Sequence, residues 1–229
     1  MTDSSPDLAA RKRVGSGFLW AASTWVLYIV LAFSLAADYE TALEDAAEAT
    51  DTPVNKLPAE TLAQISQDHP WINVSSVALL LAPAIFVMAI RRAAAVTGDR
   101  WAVPLAWLGA AVWWFYMLLN FGLAFDPQDL PPLTRDLDVL TVPLVSVASL
   151  LITLSFISAA WSLRSTGWRP KASAVAALIA LALLVLSAVT LVGSGGDEPL
   201  IPVVLLPPEL ILGIALVTSK AKQVEPATP

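Results

Sequence analysis

A chain of 229 residues that is 57% hydrophobic and only 14% charged, with mean hydropathy +0.69, cannot cover itself with polar surface, which excludes an ordinary water-soluble domain. It has no cysteine and a single histidine, His69, so disulfides, thiolate metal sites, cysteine nucleophiles and bis-histidine haem ligation have no residues to use, and no cofactor is expected. The net charge of -6 says less than its distribution, because most of the acids fall in segments on one side of the membrane.

A membrane helix needs about 20 mostly apolar residues. Six such stretches follow one another: residues 17–37, 74–90, 102–125, 139–163, 172–193 and 200–217. They predict an all-α fold, a polytopic six-helix transmembrane bundle, with residues 17–218 as one membrane domain between tails at 1–16 and 219–229. The stretches 1–10 and 223–229 are short, polar and proline-bearing, and are expected to lack structure.

The first span follows Arg11, Lys12 and Arg13 and so resembles a signal peptide, but its length and its Trp20, Trp25 and Tyr28 suit a retained helix better. Thr24 and Tyr28 lie one turn apart on it. Residues 38–72 then form an external acidic loop containing Asp38, Glu40, Glu44, Asp45, Glu48, Asp51, Glu60 and Asp68, with Lys56 as its one basic residue. The bland reading is a solvated loop; the functional one is a cap that gathers cations or docks a basic partner. Within it, Tyr39 to Thr50 is rich in alanine and free of Pro and Gly. Pro58 followed by Ala59, Glu60, Leu62 and Ile65 reads as a short helix opened by proline. His69, beside Pro70, is expected to be a solvated loop side chain.

The second span contains Pro83, in a Leu-Leu-Ala-Pro run that loosely echoes Leu-Leu-Pro-Pro at 205–208 and hints at repeated hairpins. On the third, Trp113, Trp114, Phe115 and Tyr116 sit too deep for an interfacial belt; packing explains them, and the alternative is the wall of a pigment, quinone or lipid site. Tyr116 and Asn120 share a face there, as do Ser146, Ser149 and Thr153 on the fourth span.

The sixth span holds Glu209, the one acidic or basic residue within the six stretches. A charge at the bilayer centre costs from about 2.5 kcal/mol upward, so Glu209, with no intramembrane Lys, Arg or His to pair with, is expected protonated and turned inward. Pro207 and Pro208 just before it remove backbone donors, which predicts a kinked or broken helix; alternatively a proline opens the helix and leaves Glu209 in its first turn. Counted from the interfaces, Thr24, Tyr28, Tyr116, Ser149 and Thr153 fall near mid-membrane and Asn120 somewhat further out, so a polar pocket shared with Glu209 is geometrically open. The bland reading of these hydroxyls is packing glue.

Orientation follows from basic residues, which are retained in cytoplasmic loops. Alternation over six spans gathers Arg11, Lys12, Arg13, Arg91, Arg92, Arg100, Arg164, Arg169, Lys171, Lys220 and Lys222 on one side and leaves only Lys56 and Arg135 on the other. Both termini are therefore expected in the cytoplasm. Trp20, Trp101, Trp161 and Trp168 fall at the inner interface and Trp71 at the outer, as anchors.

There is no phosphate loop, no Gly-x-Ser-x-Gly elbow and no paired acid within the spans, and the inner loops are too short for a nucleic-acid module. Beyond the lipid bilayer, the expected partners are other membrane proteins. The leading reading is a non-catalytic subunit or partner of a larger membrane assembly, contacted through the acidic loop. The alternatives are a small permease or proton- or cation-coupled transporter using Glu209, with a cation or small solute as ligand, and, behind it, a lipid-modifying enzyme. An alanine-rich, cysteine-free chain without a cleaved signal suits a bacterial inner (plasma) membrane.

Overall fold

Residues 18–52 contain neither proline nor glycine, so nothing in the backbone stops a helix where the apolar run ends. In the computed structural model, which describes residues 6–54, 57–69, 72–125, 141–193 and 202–218, helix α1 runs unbroken over Pro6–Thr50, 45 residues. Pro6 opens it and Asp7 lies in its first turn, as the helix dipole favours. It closes where Asp51 turns left-handed (φ 50°), the Thr52 N–H reaches the Ala47 carbonyl at 3.0 Å, and Pro53 cannot continue. At 1.5 Å per residue the helix is about 67 Å long, roughly twice the hydrocarbon thickness of a bilayer. Part of the N-terminal stretch expected to lack structure is therefore helical, from Pro6.

The second half of the acidic segment folds as expected: helix α2 (Ala59–Asp68) starts directly after Pro58 and buries Leu57 and Ile65 beneath it. It lies against α1. Tyr39 Oη meets Ser66 Oγ at 3.5 Å, and the Tyr39 and His69 rings pack edge to face at 6.2 Å. His69 is thus half-buried against Tyr39 rather than a free loop side chain.

Helices α3 (Ile72–Thr97), α4 (Ala102–Phe125), α5 (Thr141–Leu163) and α6 (Pro170–Gly193) follow. Glycine ends α3: Gly98 sits at φ 71° and its N–H reaches the Ala94 carbonyl at 2.8 Å. The last apolar stretch is a 3-10 turn, Pro202–Leu205, leading into helix α7 (Leu206–Val217). Five helices, α1 and α3 to α6, are long and apolar enough to cross a bilayer; residues 202–217 form a shorter apolar helix. The loop residues between α4 and α5 and between α6 and the last turn, together with Trp71, lie outside the described residues.

These six apolar helices close a ring in chain order. α1 packs on α3, α3 on α4, α4 on α5, α5 on α6, α6 on α7, and α7 back on α1, while α3 also reaches α5 across the middle. The core has two layers. One is built on the edge-to-face pair Phe18–Phe156 (5.5 Å) and lined by small residues such as Ala89, Ala106, Ala160 and Ala177. The other is built on Trp25–Trp113 (6.3 Å), with Met117, Val145 and Ala148 around Trp113. Alanines at the crossings let backbones approach closely, which is how helices associate where lipid gives no hydrophobic drive.

Candidate functional site

The face of α7 explains where Glu209 goes. Leu205, Glu209, Leu212, Gly213 and Leu216 recur at helical spacing, and all five are buried. A Cβ on Gly213 would come within 2.8 Å of the Leu19 side chain, and one on Gly15 within 2.9 Å of the Gly213 carbonyl, so both positions need glycine for α1 and α7 to touch. Gly213 meets Gly15 and Leu19 while Leu216 and Val217 meet Gly15, so the two helices run antiparallel. Glu209 lies one turn, about 6 Å, further along, level with residues 18–22 of α1 and inside the Phe18–Phe156 layer. Its side chain is 0% exposed, and neither carboxyl oxygen has a hydrogen-bond partner among the described residues.

Before Glu209 the helix changes type rather than stopping, with Leu205 at the junction still right-handed helical (φ -78°, ψ -13°). The 3-10 turn gives way to α7 at Leu206, so Pro207 and Pro208 fall in the first turn, and Glu209 with them. Where a 3-10 turn passes into an α-helix inside an apolar bundle, the hydrogen-bond pattern shifts and an N–H can be left without its acceptor. Two prolines there remove two such donors at the source. The resemblance to residues 80–83 is one of sequence only, because Pro83 sits in the middle of α3.

Among the described residues, none of the other polar candidates hydrogen-bonds the Glu209 carboxyl. Thr24 Oγ1 donates to the Ala21 carbonyl at 2.7 Å and Ser149 Oγ to the Val145 carbonyl at 2.7 Å, both within their own helices. Tyr116 lies in the other layer, its ring 5.5 Å from Trp113. Tyr28 is half-buried on α1, Thr153 is buried on α5, and Ser146 is buried near the start of α5. Asn120 lies on α4, but its side chain is outside the described residues. Among the described residues, no group of three or more His, Asp or Glu side chains converges as a metal would require.

The aromatic block on α4 has a structural task. Pro83 offers no N–H to the Leu79 carbonyl, and its ring crowds that carbonyl out of line. Trp113 Nε1 donates to the Leu79 carbonyl and Trp114 Nε1 to the Leu80 carbonyl beside it, each at 2.9 Å, so an indole of one helix satisfies the carbonyl that proline leaves open in another.

At the basic end of the bundle two polar clusters were not anticipated. Asp99, between α3 and α4, accepts from the Trp101 N–H at 2.9 Å and the Ala102 N–H at 3.1 Å. It also accepts from Ser158 Oγ at 2.7 Å and Ser162 Oγ at 2.9 Å on α5. Burial pushes its carboxyl upward, but these four donors outweigh that and hold it below the usual carboxylate range. Asp7 binds Trp168 Nε1 at 2.7 Å and Arg11 at 3.1 Å, while the Arg11 guanidinium lies 5.6 Å from the Trp168 ring. Trp168 is consequently buried in the core and is no interfacial anchor, whereas Trp20, Trp101 and Trp161 are exposed as anchors would be. No protein-family model, curated protein or solved structure matches this chain.

Proposed function

We propose that the protein crosses a bacterial inner membrane six times, with both termini cytoplasmic, and serves as a non-catalytic subunit or partner of a larger membrane assembly. The observation that carries the role is the form of the acidic segment. Its first part is an unbroken helical continuation of α1, on which Glu40, Glu44 and Glu48 repeat every four residues along one exposed face. Like charges at this spacing each cost a helix about 0.2–0.5 kcal/mol. Among the described residues none of the three is in an ion pair. A helix that keeps such a stripe outside the membrane, braced by α2, is built to meet a complementary basic surface.

The test is a photo-crosslinking amino acid at Glu44 in native membranes. The expected result is one defined protein crosslinked there and lost when Glu40, Glu44 and Glu48 are all changed to Gln. No crosslinked protein, or one indifferent to the three charges, overturns the reading. A second reading, a permease coupled to protons or a cation, is favoured by the buried carboxyl of Glu209 without a bonding partner. It predicts ion-dependent flux in proteoliposomes that Glu209→Gln abolishes and Glu209→Asp retains in part; equal flux in wild type and Glu209→Gln removes it.

A further inference from the structure

From the groove between α1 and α3 we infer a binding site for one anionic phospholipid at the basic end of the bundle. The groove, about 260 Å³, is lined by Gly17, Trp20, Ile85, Met88, Ala89 and Arg92. At Gly17 the two helices approach closely: a Cβ there would lie 3.2 Å from Ala89 Cα and 3.5 Å from Arg92 Cδ. Gly17 therefore makes room both for α3 and for the aliphatic stem of Arg92, which lines the groove.

The walls are apolar and open outward. Trp20 is 63% exposed and Met88 51% exposed, on helices whose outer faces meet lipid. Walls of this character suit an acyl chain. At its mouth Arg92 is exposed and has no carboxylate partner among the described residues, and the exposed indole of Trp20 is suited to headgroup level. An apolar slot lined by an exposed indole and bearing an uncompensated guanidinium matches a chain joined to a phosphate, and guanidinium takes phosphate oxygens in a two-pronged fork. The occupant is thus a phospholipid with net negative charge rather than a zwitterionic one. This holds whichever leaflet the basic end faces.

Arg91 provides the control. It is exposed and one residue away, but a helix rotates it about 100° from Arg92, and it does not line the groove. A diffuse basic surface would use both arginines alike; a site uses one. The experiment is native mass spectrometry of the full-length detergent-solubilised protein titrated with phosphatidylglycerol or phosphatidylcholine, for wild type, Arg92→Gln, Arg91→Gln and Arg92→Lys. One charge at headgroup level is worth about fivefold in affinity. The expected result is a first phosphatidylglycerol bound at least about fivefold more tightly than phosphatidylcholine in wild type and Arg91→Gln, and near parity in Arg92→Gln. Arg92→Lys is expected to keep part of the preference, through charge without the fork. No preference in wild type, or equal losses in Arg91→Gln and Arg92→Gln, overturns the site.

Discussion

The tryptophans of α4 show how a residue's role depends on a backbone atom in another helix. Because Pro83 leaves the Leu79 carbonyl without an N–H, the Trp113 indole is worth more than its area. Trp113→Phe removes the donor and leaves a small cavity where the second ring was, at an expected cost of about 1–3 kcal/mol, of which the donor's share is about 1 kcal/mol. The decisive measurement is the double-mutant cycle with Pro83→Ala in thermal or denaturant unfolding. Restoring the N–H at position 83 makes the indole donor redundant, so Trp113→Phe is expected to cost about 1 kcal/mol less in that background, the packing loss remaining. Equal costs in both would mean that the tryptophan acts by packing alone. Asp99 offers a second test at this scale. Its carboxylate collects two backbone and two hydroxyl donors, and its affinity for protons is lowered by folding. A carboxyl with a depressed folded pKa contributes stability that is present above its ordinary value near 3.8 and is lost as pH falls through the folded value. Asp99→Asn is therefore expected to lower stability by about 1–2 kcal/mol at neutral pH, discounted for partial exposure, with the gap to wild type narrowing below about pH 4. A gap independent of pH would assign the loss to geometry instead of charge.

Among the elements, α7 depends most on one crossing. It is short, begins inside the bundle, and is held to α1 where Gly15 and Gly213 let the backbones meet. In Gly15→Ala the new methyl would stand 2.8 Å from Leu216 Cβ and 2.9 Å from the Gly213 carbonyl, so the helices must separate. The expected outcome is a loss of about 1–3 kcal/mol, typical of overpacking, with hydrogen exchange accelerated in α7 before α4 or α5. Unchanged exchange in α7 would show that α6 alone holds it. This crossing is half legible in the sequence: Gly213 stands one turn from Glu209, a spacing that lets a neighbouring helix approach, but nothing in the sequence marks Gly15 as its counterpart. The bounds of α4 were legible, since an uncharged run begins straight after Asp99 and Arg100. The end of α1 was not, because a change in polarity marks where the bilayer stops and not where a helix does; only Asp51 and Pro53 stop the backbone. Glu209 stood out as a lone acid, and the proline pair allowed the first-turn placement that α7 adopts. The Asp99 clamp escaped notice because its hydroxyls lie 59 and 63 residues away, although an acid just before a helix and Ser158 and Ser162 one turn apart were the available signals.

At the scale of the whole molecule, the ring brings the chain's two described ends together. Asp7 binds Trp168 in the turn between α5 and α6, Asp99 binds the end of α5, and the last turn of α7 meets Gly15. Every one of these contacts lies at the end rich in Arg and Lys, where basic residues would hold them in the cytoplasm. The unsettled element is the last, since the 3-10 turn and α7 together reach only about 26 Å at their respective rises, slightly less than a hydrocarbon core. A chain without cysteine makes the question direct, because each introduced thiol is unique. Glu48, Ser165 and Thr218 are exposed, at the far end of α1, in the turn after α5 and just past α7. With six crossings, a membrane-impermeant maleimide added to intact cells should label Glu48→Cys and should reach Ser165→Cys and Thr218→Cys only after permeabilisation. With five crossings and α7 lying on the outer surface, Thr218→Cys would be labelled in intact cells alongside Glu48→Cys. That result would also remove Glu209 from the membrane interior, and with it the physical reason for a pair of prolines ahead of an acid in an otherwise apolar turn.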